Sequence, residues 1–246
     1  MIDSVRSTVL AALNKNNYGY LSPSDFNLYA KQAQLEIFEN LFYQYNTQLN
    51  LENVRKSGTD YANLSKNILE TISLFEVEED LTVDSGGNGK YNLPSVATTG
   101  SDYYYINSIK CFSSNTFKAT AEKVSPSKLS LLTSSSLTSP SESFPLYTVK
   151  DEFLFVNPTS FSGSNDVSCS YIRYPKDPVW TYSSVLAAQA PVFNPSAADY
   201  QDFELPKDNF NNLVINILKY AGLEVRELMV MNFANQEEQQ NNIQQR

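Results

Sequence analysis

The sequence predicts an α+β protein with N-terminal helices, a central antiparallel β-sandwich or barrel, and a long C-terminal helix with a polar tail. Apolar residues recur at helical spacing in residues 2–49, strand-like runs separated by polar turns fill residues 144–180, and helical spacing returns from Phe210 to Leu228. These changes predict a helical part (1–75), a β-rich domain (76–182) and a final part (183–246) made of a connector, the last helix and a polar arm. The helices are expected to pack together as one region.

Two helices are predicted at the N-terminus. Residues 2–14 form a short amphipathic helix that ends before Gly19. The second helix begins with Ser22 as N-cap, Pro23 in the first turn and Asp25 in a capping-box position. It runs to about residue 49, and more than half of its girth is expected to be buried, because a central apolar stripe is flanked by further apolar residues: Phe26, Ala30, Ala33, Ile37, Leu41 and Tyr45, widened by Leu28, Leu35, Phe38, Phe42 and Tyr43.

The segment that follows is more polar. Residues 51–70 predict a weaker helix, and residues 69–77 a transition into a strand. The acidic run from Glu76 to Asp80 is typical of a solvated face rather than of a catalytic carboxylate pair. Residues 84–89 predict a glycine-rich hairpin loop rather than a calcium loop, since Gly86 stands where a third-position ligand is needed and Ser95 stands where the bidentate glutamate belongs.

The β-rich domain is predicted to open with strands at residues 102–106 and 109–112. Residues 122–143 form a Ser/Thr-rich excursion with a short helix after Pro126, and long excursions often carry binding sites. Residues 146–149 and 153–156 predict a hairpin, in which Phe153 and Phe155 are expected to be buried because the second run is apolar on both faces.

The last strand-like runs close the β region. After a loop at residues 158–166, Val167, Cys169 and Tyr171 alternate with polar residues as in a half-buried strand. Residues 179–182 are expected to end the region, with Trp180 as a packing residue. Pro206 then suits the first turn of the last helix.

Composition excludes several kinds of site. The chain has 246 residues, a formal net charge of −9 and no histidine, so histidine triads and histidine metal sites are excluded, and tight binding to a nucleic-acid backbone is disfavoured. Cys111 and Cys169 lack metal-ligand spacing and are expected to be buried thiols, although a disulfide remains open. No catalytic residue, metal site or cofactor is predicted, and the protein is not expected to be an enzyme. The apolar run near the N-terminus is too short for a signal-peptide core or a membrane span, which favours a protein that is made and used in a cytoplasm.

The order of these signals resembles that of ring proteins at the head-to-tail junction of short-tailed, crAss-like bacteriophages. The overall pattern covers most of the chain, and five short stretches carry the resemblance: SPSDF at Ser22, SDYYYI at Ser101, SYIRYPKDPVW at Ser170, DFELP at Asp202 and LVINILKYAGLEVRE at Leu213. The resemblance implies a homo-oligomeric ring, typically twelvefold, that contacts the portal protein and neighbouring tail or ring proteins. DNA would pass through its lumen without specific binding, and the protein would be assembled in the host cytoplasm and kept in the virion.

The polar arm supplies the predicted partner-binding residues, because the apolar stripe of the last helix continues further than a core within the chain requires. These residues are Met229, Met231, Phe233, Gln236, Gln239, Gln240 and Ile243. Two other classes remain open: a β-sandwich binding module for glycans or a host receptor, suggested by Tyr103–Tyr105, Trp180 and Tyr182, and a different structural protein of the tail.

Overall fold

The computed structural model describes residues 1–13, 21–55, 64–84, 86–87, 89–113, 115–151, 153–183 and 191–225. It is a mixed α+β protein, as the sequence predicts. Contacts divide the chain into two compact units: unit 1 comprises residues 1–71 and 175–246, and unit 2 comprises residues 72–174. Among the described residues, no helix combines the length and apolar character needed to cross a membrane.

The described elements are six α-helices, nine β-strands and one short 3-10 helix. The helices are α1 (Ile2–Leu13), α2 (Pro23–Arg55), α3 (Leu64–Ser73), α4 (Val96–Thr99), α5 (Pro126–Thr133) and α6 (Phe210–Val225), which follows the 3-10 turn Lys207–Asn209. The strands are β1 (Glu76–Asp80), β2 (Lys90–Asn92), β3 (Tyr103–Ser113), β4 (Thr116–Lys123), β5 (Leu146–Lys150), β6 (Phe153–Asn157), β7 (Val167–Arg173), β8 (Tyr182–Ser183) and β9 (Val192–Phe193).

Helix α2 confirms the predicted N-terminal cap. Ser22 Oγ accepts a hydrogen bond from the Asp25 backbone N–H at 3.1 Å, and the Ser22 hydroxyl also donates to the Asp25 carboxylate. The described helix reaches Arg55, six residues beyond the predicted end near residue 49. Its central stripe is buried at every position except Tyr45, which is partly exposed: Phe26, Ala30, Ala33, Ile37 and Leu41.

The prediction that α2 is buried over more than half of its girth is wrong. Leu28 is 64% exposed and Tyr43 is 71% exposed, so one side of the predicted wide stripe faces outward. Only Phe38 of the flanking residues is fully buried. Helical period identifies the buried stripe, but it does not reveal how wide a neighbouring element is.

Trp180 lies in the core of unit 1, which confirms its predicted role as a packing residue. Only 2% of its surface is exposed. The Arg6 guanidinium lies 3.8 Å from its ring centroid, and its Nε1–H donates to Asp3 Oδ1 at 3.0 Å. Its backbone N–H donates to Asn27 Oδ1 at 2.9 Å. Although residues 179–182 were expected to close the β region, their contacts group them with the helices of unit 1.

Unit 2 is built on one mostly antiparallel sheet with the strand order β1-β7-β3-β4-β5-β6-β2. The β4–β5 pair is parallel and joins only two positions, Glu122 to Leu146 and Lys123 to Tyr147. The sheet curls, because the chain after β1 also bonds to β2: Asn92 N–H donates to Thr82 O at 2.9 Å and Asp84 N–H donates to Lys90 O at 3.0 Å.

The curled sheet surrounds a single core. Every strand from β1 to β7 supplies an apolar side chain to it or packs against it, which fits a barrel-like curl rather than two facing sheets. The buried members are Leu81, Tyr91, Leu93, Ile106, Ile109, Cys111, Ala121, Tyr147, Leu154, Val156, Phe161, Val167, Cys169 and Tyr171.

Several predictions for the sheet need correction. The two opening strands are a single strand, β3, whose pairing with β7 shifts register between Tyr103 and Tyr105 and between Ile106 and Ser108. Residues 69–73, predicted to lead into a strand, belong to α3, and the strand begins at Glu76. Strand β4 was not predicted, although Phe117, Ala119 and Ala121 alternate with polar residues, because two of these three are alanine, which has weak strand propensity.

Burial also differs from the prediction on β6 and β7. Phe153 and Phe155 are partly exposed rather than buried, while Leu154 and Val156, on the other face, are fully buried. Strand β7 is not half-buried: Ser168 and Ser170 are only 4% and 7% exposed. They lie on β7 between β1 and β3, and Ser170 Oγ donates to Glu76 Oε1 at 3.1 Å.

Candidate docking surface

The excursion between β4 and β5, residues 124–145, is the candidate functional site. Hydrogen bonds fix its two ends beside each other: Glu122 N–H donates to Pro145 O and Val124 N–H donates to Tyr147 O, both at 3.0 Å. The parallel β4–β5 pair therefore holds the ends in place, and the segment between them includes helix α5, which has no buried residue.

Helix α5 gives the excursion a defined local structure and confirms the predicted short helix. Ser125 Oγ caps it by accepting a hydrogen bond from Lys128 N–H at 3.3 Å. Hydroxyl groups within the excursion donate to its own backbone, as in the bonds from Thr133 Oγ1 to Leu129 O at 2.8 Å and from Thr138 Oγ1 to Leu132 O at 3.1 Å. These hydroxyls stabilise the turns and are engaged locally.

Three large apolar side chains of the excursion face outward, whereas Val124 is buried and Leu129 and Leu132 are partly buried. Leu131 is 74% exposed, Leu137 is 92% exposed and Phe144 is 78% exposed, and α5 has no buried residue. We call these three residues the apolar triad. Large apolar side chains grouped on one ordered segment are typical of surfaces that bind another protein.

The excursion carries almost no charge, although the whole chain has a net charge of −9. Lys128 and Glu142 are its only charged residues. Lys128 lies 3.9 Å from Glu122, and both side chains are exposed, so this ion pair contributes little to stability. A neutral, apolar segment on an acidic protein is the part of the surface that meets least electrostatic repulsion from another acidic protein.

The partner-binding residues predicted from the sequence cannot be placed on this surface. Met229, Met231, Phe233, Gln236, Gln239, Gln240 and Ile243 all lie outside the described residues. The apolar triad was not singled out from the sequence, although the excursion that contains it was identified as a place for binding. The sequence feature that could have identified the triad is the presence of large apolar residues in and after a short helix that has no apolar stripe to bury them.

The aromatic residues that suggested a binding platform are dispersed. Tyr105 is 57% exposed, whereas Tyr104 is partly buried and packs edge-to-face against Tyr174, with ring centroids 5.2 Å apart. Trp180 is buried and Tyr182 is 51% exposed, and these two residues belong to unit 1 rather than to unit 2.

The acidic residues of β1 make structural contacts. Glu76 Oε1 accepts from Asn107 Nδ2 at 2.8 Å, and Glu78 Oε1 pairs with Lys110 Nζ at 2.6 Å. Glu79 Oε2 accepts from the Tyr171 hydroxyl at 3.3 Å. Within the described residues no three acidic or cysteine side chains group as metal ligands.

The glycine-rich segment at residues 84–89 forms the predicted turn. Val83 and Tyr91 make an antiparallel bridge across it, and Gly87 N–H donates to Asp84 O at 2.9 Å. Asp84 Oδ2 pairs with Lys90 Nζ at 2.7 Å. This carboxylate is therefore neutralised by an amine within the turn.

The two cysteines are free and buried, which confirms the expected thiols and settles the open question of a disulfide. Burial raises the pKa of Cys111 to about 12, with a further increase from Asp166. Burial likewise raises the pKa of Cys169 to about 12, with smaller contributions from Glu78 and Glu79. Neither thiol is activated as a nucleophile at neutral pH, because nucleophilic cysteines have lowered pKa values.

The sequence was compared with known proteins. It matches no protein-family model, and no curated protein matches it either.

Proposed function

We propose that this chain is a structural subunit of a bacteriophage virion, forming a ring at the portal–tail junction through which DNA passes. The observation that carries the proposal is the apolar triad, which is 74%, 92% and 78% exposed on an ordered and nearly uncharged excursion. Such a surface fits a protein whose task is to bind other proteins. The class of assembly is taken from the resemblance of the sequence to head-to-tail connector proteins.

The charge of the chain supports the same proposal. A net charge of −9 gives a ring lumen little attraction for the phosphate backbone, so DNA would pass without specific binding. A ring also needs two different contact patches on each subunit, because its contacts are heterologous. The excursion supplies one such patch, and a portal or a neighbouring tail protein would contact further surfaces.

The test is co-assembly of the full chain with the portal and tail proteins of its own virion, followed by native mass spectrometry and negative-stain imaging. The unmodified chain is expected to form closed rings on the portal. A triple variant, Leu131→Ser with Leu137→Ser and Phe144→Ser, is expected to weaken co-assembly by at least roughly 1,000-fold, since burying each side chain contributes about 1.5–3 kcal/mol.

A matched control separates this effect from a general loss of exposed apolar surface. Val96 and Val192 are 63% and 62% exposed but lie outside the excursion. The double variant Val96→Ser with Val192→Ser should assemble as the unmodified chain does. A chain that remains monomeric with all the candidate virion proteins would overturn the proposed function.

A further inference from the structure

Two strand edges of the curled sheet lack a pairing partner among the described residues. Strand β1 pairs with β7 on one side, and residues 76–80 have no strand on the other. Strand β4 pairs with β5 only at Glu122 and Lys123, which leaves residues 116–120 open on the side away from β3. An unpaired edge presents backbone N–H and C=O groups that can accept another strand.

The two open edges have opposite charge. Four of the five residues of β1 are acidic. Val77 and Glu79 stand opposite the buried Tyr171 and Cys169, so Glu76, Glu78 and Asp80 alternate onto the outward face. In the open stretch of β4, residues 116–120, Lys118 is the one charged residue and it is exposed; Glu122 and Lys123, one of each charge, follow where β4 pairs with β5.

Three of these charges have no oppositely charged partner within the described parts of the chain. Asp80 on β1 and Lys118 and Lys123 on β4 are exposed, and none of them forms an ion pair there. Opposite charges on adjacent strands favour pairing, and like charges directly opposite disfavour it. Two β1 edges would therefore repel, whereas a β1 edge and a β4 edge attract.

We infer that the β1 edge of one copy adds to the open β4 edge of the next copy, so that the sheets of neighbouring subunits join. This inference rests on the ring function proposed above and names its subunit contact. The contact is heterologous, as a ring requires, because each copy offers one acidic edge and one basic edge. The excursion directly follows β4, so the apolar triad would flank the added strand and extend the contact.

A protective role for the charged edges leads to a different expectation. Charged residues on edge strands often prevent aggregation. Protection would explain an acidic β1, but the β4 edge also exposes Phe117, which is 53% accessible. If the charges only protected the edges, reversing one of them would leave assembly unchanged or increase it.

The experiment is a charge swap on the full chain. Asp80→Lys reverses the acidic edge and Lys118→Glu reverses the basic edge, and neither substitution breaks an ion pair within the described chain. Each single variant is expected to weaken ring formation by roughly tenfold, because an attraction between exposed charges becomes a repulsion. The double variant Asp80→Lys with Lys118→Glu should restore assembly, since the edges are again complementary.

Assembly is measured by sedimentation velocity and native mass spectrometry, alone and with the virion proteins, and circular dichroism confirms that each variant is folded. Lys207→Glu is the control for Lys118→Glu, because it changes the net charge equally at an exposed site in unit 1. It should assemble as the unmodified chain does. The contact between the edges should also weaken as salt is raised.

The outcomes separate this inference from the proposed function. Rings that form equally well from the unmodified chain and from both single variants would overturn the edge pairing and leave the connector role standing. Weakened single variants without recovery in the double variant would also overturn it. An unmodified chain that never assembles, even with its virion proteins, would overturn the connector role and the edge pairing together.

Discussion

Replacing Leu154 with alanine tests the assignment of the core of the curled sheet. Leu154 is fully buried on β6, between its partners on β2 and β5, Tyr91 and Val149. Removing a buried leucine costs about 2–5 kcal/mol, and a fully enclosed site such as this one should cost roughly 3 kcal/mol. In a unit of about 100 residues each kcal/mol lowers the melting temperature by about 4–8 °C, so a decrease of about 12–24 °C is expected.

The matched control is Leu131→Ala, which removes the same atoms from a side chain that is 74% exposed. Its cost should stay below about 0.5 kcal/mol. Urea unfolding followed by far-ultraviolet circular dichroism measures both variants. Hydrogen exchange of β5 and β6 peptides then localises the effect to the sheet, which the fluorescence of Trp180 in unit 1 does not report directly. A cost below about 1 kcal/mol for Leu154→Ala, or equal costs for the two variants, would refute the assigned burial.

Three further predictions concern backbone shape, a buried ring and alkaline pH. Gly89→Ala should destabilise the protein by at least about 2 kcal/mol in urea unfolding, because φ is +71° and the new Cβ would lie 2.4 Å from the backbone carbonyl oxygen of Val156 on β6. The control Gly87→Ala, with φ +60° and no atom within 4 Å of the new Cβ, should cost only about 1 kcal/mol. Equal costs for the two variants would contradict the close approach of Gly89 to β6. Trp180→Phe loses the hydrogen bond from Nε1–H to the Asp3 carboxylate on α1 and should destabilise the protein by about 1–3 kcal/mol, as measured by thermal melting. An unchanged melting temperature would show that this hydrogen bond does not stabilise the fold. Because the pKa of each buried thiol, Cys111 and Cys169, is raised from 9.0 to about 12, their contribution to stability is complete below about pH 9 and is lost as the pH rises towards 12. In urea unfolding, the free energy of unfolding should fall by about 1.4 kcal/mol per pH unit for each thiol in this range. A double Cys→Ala variant whose unfolding free energy falls equally steeply would show that the thiols are not the cause.

The helices could be predicted because their residues satisfy local rules. Ser22, Pro23 and Asp25 mark the start of α2 without reference to anything distant, and α6 follows the turn at Pro206. What could not be predicted is the width of the buried face. Leu28 lies about 200° around the helix from Phe26, so its exposure follows from helical period, whereas the partial burial of Leu35 depends on which elements pack beside α2.

The sheet shows a similar limit. Alternation identifies which residues share a face, but it does not show which face is covered, so Phe155 was expected to be buried although the core lies on the side of Leu154. Ser168 and Ser170 are buried because neighbouring strands carry longer polar side chains over them, which a single strand cannot reveal. Strand β4 was missed although Phe117, Ala119 and Ala121 alternate with polar residues, because the two alanines are small and carry little apolar or strand signal.

The parallel pair between β4 and β5, which joins two positions, sets a minimum length for the excursion. Parallel neighbours cannot be joined by a tight turn, because the chain must travel back along the sheet before the second strand begins, and this needs about a dozen residues or more. Deletions that leave fewer residues should therefore break the β4–β5 pairing. Insertions near Leu137, which is 92% exposed, should only lengthen the loop. The excursion should therefore accept a longer or different sequence without disturbing β4 and β5, the strands that hold its ends.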